Sequence, residues 1–175
     1  MSSPQQLTWI ASIQDVVQDI SCDITSGIRR VVRADKMSLG ELYFAAYPRT
    51  VVATLAEAHN EFVRTFAGEY GQLDLDSSTV VELDGHLVAA VLTVDDALWT
   101  DTPPGPFIIE VMVHPDYRRQ HLALRCLLAT ASILAQKNQT TVALRVMSDN
   151  GAAKKLYKRL GFSSWQGCNK SCNSI

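Results

Sequence analysis

The order of elements along this chain predicts an α/β (α+β) fold: a mixed, mostly antiparallel sheet flanked by helices, with one helical crossover between two parallel strands. Three observations carry that prediction. TVVEL, Asp84-Gly85 and HLVAAVLTV over 79–94 form a hairpin signature, because an Asp-Gly pair between β-rich runs suits a two-residue turn. FIIEVMV at 107–113 is a near-continuous apolar run, as in a strand covered on both faces. A helical pattern at 118–137, basic at its start and apolar afterwards, leads into a second strand, TVALRV, at 141–146.

The remaining elements follow in chain order. The first six residues are polar and read as loose. Leu7, Ile10, Ile13, Val16, Val17 and Ile20 recur at helical spacing and predict a helix over 7–20. IRRVV at 28–32 reads as a short strand. Ser38 with Glu41 three residues on is a capping-box pattern before LYFAAY. Pro48 separates that helix from one over 51–67, with Val52, Leu55, Ala56, Phe62, Val63 and Phe66 on its inner side. TDTPPGP at 100–106 is a proline-held loop, and Pro115 ends the strand before it. Asn150 opens a last helix through Leu160, closed by Gly161. Residues 1–26 are expected to be a helical extension and 27–175 a single domain.

Composition narrows the function. The chain has 175 residues, 47% hydrophobic and 19% charged, with net charge −2, which is ordinary for one soluble domain. An acidic balance argues against nucleic acid as the main partner, since such binding leans on a basic surface. Cys22, Cys126, Cys168 and Cys172 are too scattered for a zinc framework, and no metal is expected. Cys126 reads as a buried small hydrophobe, and Cys168 and Cys172 as free thiols in a polar tail. The first residues lack the basic start and apolar core of a signal peptide, and no apolar run has the length of a membrane span. The expected setting is the cytoplasm, with no membrane partner.

Two segments carry chemistry. In EVMVHPDYRRQHLALRCLLA at 110–129, a strand stops at a proline turn and feeds directly into a helix. A helix start has free backbone N–H groups and a positive dipole end, which suit a phosphate. Arg118, Arg119, His121 and Arg125 add positive charge there. Cations at a helix N-terminus oppose the macrodipole, so the arrangement asks for an anion; a solvated basic turn before a core helix explains the same residues equally well. In NGAAKKLYKRLGF at 150–162, Ala153, Leu156, Tyr157 and Leu160 form one stripe while Lys154, Lys155, Lys158 and Arg159 face outward. Alone, Asn150 reads as a cap and Tyr157 as a core residue with its hydroxyl at an edge.

Together these segments resemble the two signatures of the GNAT (GCN5-related) N-acetyltransferases. VHPDYRRQHLA is similar to the acyl-CoA signature V-x-P-x-x-R-x-x-G-x-G/A, and NGAAKKLYKRLGF to N-x-x-A-x-x-x-Y-x-x-x-G-F. The resemblance covers about 27–162 and is strongest over 107–162. It implies that the central parallel strands, 107–113 and 141–146, splay to admit pantetheine, with main-chain groups of Val111, Met112 and Val113 pairing with it. The pyrophosphate would lie on the N–H groups of Arg119, Gln120, His121, Leu122, Ala123 and Leu124. Arg118 stands at the signature's Q/R position, and Asn150 and Ala153 match the residues near pantetheine. One position departs: His121 replaces the glycine whose missing side chain lets the backbone approach pyrophosphate.

The activity implied is movement of an acetyl group from acetyl-CoA, the cosubstrate, to a primary amine of a small molecule or peptide, by direct attack in a ternary complex. Tyr157 matches the general-acid position, and a phenol can protonate a leaving thiolate. Glu110, the sole carboxylate of the central strand, is the candidate base. The N–H of Val113 is the expected donor to the oxyanion. Tyr43, Phe44, Tyr47, His59, Glu61, Phe62 and Glu69 would lie on the acceptor side, or are ordinary helix packing. Only SSWQGCNKSCNSI follows Phe162, where most of the family continue through two strands. The tail therefore makes one strand, or a homodimer partner lends one. Two other readings are a degenerate fold that binds acyl-CoA or a partner protein without catalysis, motivated by His121 and the short tail, and a nucleic-acid-binding domain.

Overall fold

A computed structural model describes residues 4–18 and 27–167. Its elements are β1 (Gln6–Ser12), α1 (Ile13–Val17), β2 (Ile28–Arg30), α2 (Lys36–Ala46), α3 (Leu55–Phe66), β3 (Thr79–Leu83), β4 (His86–Val94), β5 (Phe107–Val113), α4 (Leu122–Gln136), β6 (Thr141–Met147), α5 (Gly151–Arg159) and β7 (Ser163–Ser164). Among the described residues the strands form one sheet in the order β2-β3-β4-β5-β6-β1-β7. All neighbours are antiparallel except β5 and β6. The mixed sheet flanked by helices is therefore the fold observed.

The predicted hairpin forms as read. Asp84 and Gly85 both have positive φ, +49° and +77°, as the tight two-residue turn requires. The 100–106 loop, the strands at 107 and 141, and the helix between Asn150 and Gly161 also stand where the sequence puts them.

Of the helix predicted over 7–20, only Ile13–Val17 forms among the described residues. Residues 6–12 are a strand that pairs with β6 along its whole length, from Gln6 opposite Met147 to Ser12 opposite Thr141. Trp9 and Ala11 are buried at every second position, and only from Ile13 does the chain turn helical. The apolar spacing over 7–17 fits both periods. The open edge of β6 decides between them, because a strand there satisfies its backbone groups. β7 then pairs with the far side of β1. β1 thus occupies the sheet position between β6 and β7.

Three helix starts also differ. α4 begins at Leu122 rather than 118, because the chain first makes a 3-10 turn at Pro115–Tyr117 and then passes through left-handed Arg119 and His121. α2 begins at Lys36, with Ser38 inside it rather than at its cap. Asp35 fixes that start: its carboxylate accepts from both terminal nitrogens of Arg29 at 2.8 and 2.9 Å and from the Val32 N–H at 2.8 Å. α3 begins at Leu55 because Thr54 and Glu57 form a reciprocal capping box. Its buried positions are Ala58, Phe62 and Thr65, whereas Leu55, Ala56 and Val63 face outward.

The sheet separates two cores. Trp9, Val16, Leu127, Leu134, Leu160 and Phe162 pack on the face covered by α1, α4 and α5. Leu39, Leu42, Phe62, Leu92, Phe107 and Met112 pack on the face covered by α2 and α3. Cys126 is fully buried in the first core, as expected; Cys22, Cys168 and Cys172 lie outside the described residues. No helix among the described residues is long and apolar enough to cross a membrane.

Candidate active site

The parallel pair at the centre of the sheet opens after two residues. β5 and β6 are paired only at Phe107–Ala143 and Ile108–Leu144, yet β5 continues to Val113 and β6 to Met147. The cause lies on β5. Leu92 stands opposite Glu110 and Thr93 opposite Ile108, so Ile109 is an extra, bulged residue. A bulge bends its strand and increases its twist. It also resets the alternation of side chains. Ile108, Val111 and Val113 pack towards α4 and α5, whereas Phe107, Ile109 and Met112 pack towards α2 and α3.

The bulge also directs the backbone. His114 N–H donates to the Val88 carbonyl at 2.8 Å, so residues of its parity point their main-chain groups at β4. Met112 is one of these. Val111 and Val113 consequently direct their N–H and C=O groups into the gap.

One end of the gap is a cradle of amides. The chain leaves β5 through a 3-10 turn, Pro115–Tyr117, and enters α4 at Leu122. The first helical bond runs from Arg125 N–H to the His121 carbonyl at 3.0 Å. The six N–H groups of Arg119, Gln120, His121, Leu122, Ala123 and Leu124 have no backbone acceptor among the described residues. Arg119 and His121 are left-handed, with φ of +64° and +58°. The loop therefore keeps at His121 the conformation a glycine would take there, at a cost of about 1–2 kcal/mol for a side-chain-bearing residue. The imidazole is exposed and caps nothing. The Arg118 guanidinium donates to the Ala46 carbonyl at 2.8 Å, tying the loop to the C-terminal end of α2.

Two ionisable groups meet at the gap from opposite faces. Glu110 points towards α2, where the Tyr47 hydroxyl donates to its carboxylate at 2.8 Å. Burial pushes the Glu110 pKa up to about 7; the Tyr47 hydrogen bond opposes that shift and the charge of Glu61 adds to it. Tyr157 arrives from α5 on the other face, 5% exposed, its ring against Phe162. Burial first, and then the charge of Glu110, hold its phenol well above the ordinary value. Its hydroxyl makes no hydrogen bond among the described residues. Asn150 caps α5, its Oδ1 accepting from Ala153 N–H at 3.0 Å.

Beside Glu110, on the α2–α3 face, lies a cavity of about 240 Å³. Phe107, Ile109 and Glu110 of β5 form one wall and Glu61 and Thr65 of α3 another. Tyr70, Trp99, Gln6 and Arg145 complete it. Tyr70 and Trp99 stack at 5.9 Å, and the Arg145 guanidinium lies 4.4 Å over the Trp99 ring while pairing with Asp101.

Of the acceptor-side residues read from sequence, Glu61 lines this cavity, and the Tyr43 and Tyr47 rings lie tilted against each other with the Tyr47 hydroxyl on Glu110. Phe62 is core, Glu69 pairs with Arg64, Arg49 covers the Phe44 ring, and His59 packs against Gly40. Tyr70, Trp99, Gln6 and Arg145 were not anticipated. Arg145 alone had a sequence signal: a charge at an alternate position of a strand whose flanking Leu144 and Val146 are buried.

A profile of the Acetyltransferase (GNAT) family matches residues 38–162. Among curated proteins, no sequence matches the chain. Among solved structures it resembles a GCN5-related N-acetyltransferase from Sphaerobacter thermophilus, with TM-score 0.67 and 18% identity, covering 94% of this chain and 50% of that one. A GNAT-family protein from Novosphingobium aromaticivorans gives TM-score 0.57 and 21% identity over 94% of this chain and 60% of that one. The acetyltransferase AAC(6')-Iy, solved with a bisubstrate analogue of CoA and acetylneamine, gives 0.58 and 14% over 85% and 97%. The chain thus spans only 50–60% of the length of the first two. With a family profile over most of its length, a splayed central pair and an amide cradle at its mouth, the chain belongs to the Acetyltransferase (GNAT) family.

Proposed function

We propose that the protein transfers an acetyl group from acetyl-CoA to a primary amine of a small molecule or peptide, by direct attack within a ternary complex. The observation that carries this reading is one gap in the sheet with an amide cradle at its end and Glu110 and Tyr157 facing it from opposite sides. The residues present fit the cosubstrate. Six free amides and a helix N-terminus suit a diphosphate. The inward main-chain groups of Val111 and Val113 suit an extended amide-bearing arm, which takes the place of a missing strand. Arg119 supplies charge at the cradle, and Arg118 braces it.

Acetyl-CoA, when bound, supplies an activated acetyl carbonyl and a thiolate leaving group. Glu110 accepts the proton of the incoming amine, and a carboxylate tuned to about 7 suits that task near neutral pH. Tyr47 holds the carboxylate in place. Val113 N–H donates to the carbonyl oxygen as negative charge grows on it. The amine nitrogen bonds to the acetyl carbon, the carbon–sulfur bond breaks, and the Tyr157 hydroxyl gives its proton to the sulfur. The burial that keeps Tyr157 protonated also raises the proton affinity of a thiolate leaving into the same dry site.

Both motives for a non-catalytic reading weaken. The cradle keeps its left-handed geometry despite His121, and β1 pairs with β6 along its whole length to extend the sheet beyond the parallel pair. The test is calorimetric titration with acetyl-CoA followed by turnover with a panel of amines. Binding with acetyl transfer supports the proposal; binding with no transfer to any amine would reduce the protein to a CoA-binding fold.

A further inference from the structure

Resting on that reading, we infer that the acceptor is a small amine carrying a second ammonium group, held at its far end by Glu61. The cavity contains two carboxylates, and the chemistry uses one. Glu110 takes the proton of the reacting amine. Glu61, one element away on α3, lines the same space and has no part in the transfer. Both acids line one cavity, and the charge of Glu61 bears on Glu110, so a cation in the cavity relieves their repulsion.

The guanidinium groups nearby provide that cation only in part. Arg145 lines the cavity but is committed to Asp101 and to the Trp99 face. Arg64 donates to Glu61 at 3.2 Å but divides its single charge between Glu61 and Glu69, which it holds more closely. The carboxylates of the cavity and of its ion pairs are thus Glu61, Glu110, Asp101 and Glu69, against Arg64 and Arg145. That balance favours a cationic ligand over a zwitterionic one. Trp99, Phe107 and Ile109 supply an apolar lining for an aliphatic spacer. At about 240 Å³ the cavity falls below the roughly 300–1,000 Å³ that takes drug-sized ligands, so the acceptor is short.

Three ligands of one length test the inference: 1,4-diaminobutane, butylamine and 4-aminobutyrate, differing only in whether the far end is cationic, apolar or anionic. Their binding to the CoA-loaded protein is measured by calorimetry, and their acetylation by steady-state kinetics. The diamine should bind, and be acetylated at low concentration, roughly tenfold better than butylamine, with 4-aminobutyrate the poorest. The Tyr70 hydroxyl hydrogen-bonds Glu61. Glu61→Gln keeps an acceptor for it and should shrink the diamine-to-butylamine ratio at least several-fold. The wild-type series stands even where that variant melts early. Equal binding of diamine and butylamine, preference for 4-aminobutyrate, or no binding of any of the three would overturn the inference. Diamine-selective binding without acetylation would keep it and sink the proposed reaction instead, whereas acetylation without selectivity would do the reverse.

Discussion

The amide cradle and the acceptor cavity face the same gap but are built in opposite ways. The cradle is one uninterrupted stretch, Arg118 to Leu124, and its working groups are backbone. The cavity draws on β1, α3, β5, β6 and two loops, and its working groups are side chains. A contiguous backbone device tolerates changes of side chain, because any residue but proline supplies an N–H. A cavity assembled from distant elements depends on each side chain and on every element that carries one.

Changes at the gap between them should have the largest effect. Glu110→Gln is expected to lower kcat/KM by roughly 10³-fold at pH 8, the upper part of the range for a positioned base. The wild-type rate should rise with pH through about 7 as Glu110 loses its proton, and that rise should vanish in the variant. Stability should move the other way. A folded pKa above the usual carboxylate value means that the native state holds its proton longer than the unfolded chain. Stability therefore falls as pH rises from about 4.5 to about 7, by about 3 kcal/mol at most. Thermal melts should show the glutamine variant more stable than wild type at pH 8 and no better at pH 4; a variant less stable at both would contradict the buried-charge account.

Tyr157→Phe keeps the ring against Phe162 and removes the donor. Turnover should drop roughly 10²-fold with acetyl-CoA affinity and melting temperature near wild type. Full turnover in the folded variant would make Tyr157 a core residue only. At the cradle, side chains should matter less. Arg119→Glu is expected to weaken acetyl-CoA binding about tenfold, in titrations whose salt dependence falls with the lost charge. An unchanged affinity would place the diphosphate elsewhere.

The smallest effect sharpens the contrast most. His121→Gly removes a side chain from a left-handed position, relieving strain but adding freedom to the unfolded chain. The net gain in stability should be about 1 kcal/mol or less by denaturant melts, with acetyl-CoA affinity kept or improved. A large loss of affinity would show that the imidazole itself holds the ligand, and the cradle would not then be a backbone device.

This contrast also explains what the sequence revealed. The cradle, the Asn150 cap and the Tyr157 stripe are local patterns, and each stands where its residues predict. Arg145 and Trp99 gain their place only when β6 and the loop after β4 come together. Gln6 reaches the cavity only because β1 docks on β6. Nothing near residues 6–12 announces that docking: their apolar spacing fits a helix as well as a strand, and the deciding partner lies at 141–147. The bulge at Ile109 was hidden for a related reason. An apolar run such as FIIEVMV has no alternation to interrupt, so an inserted residue leaves no trace in it.

The docking of β1 between β6 and β7 has a consequence for how the chain acquires its structure. β1 leaves the ribosome well before its partners Thr141–Met147 and Ser163–Ser164, so it finds its place only after a long stretch of intervening chain has been made. Until then the apolar edge carrying Trp9 and Ala11 has no permanent cover. Pairings between such distant segments carry a high loop-closure cost and form slowly. The growing chain is therefore most exposed to aggregation while β1 waits for β6 and β7.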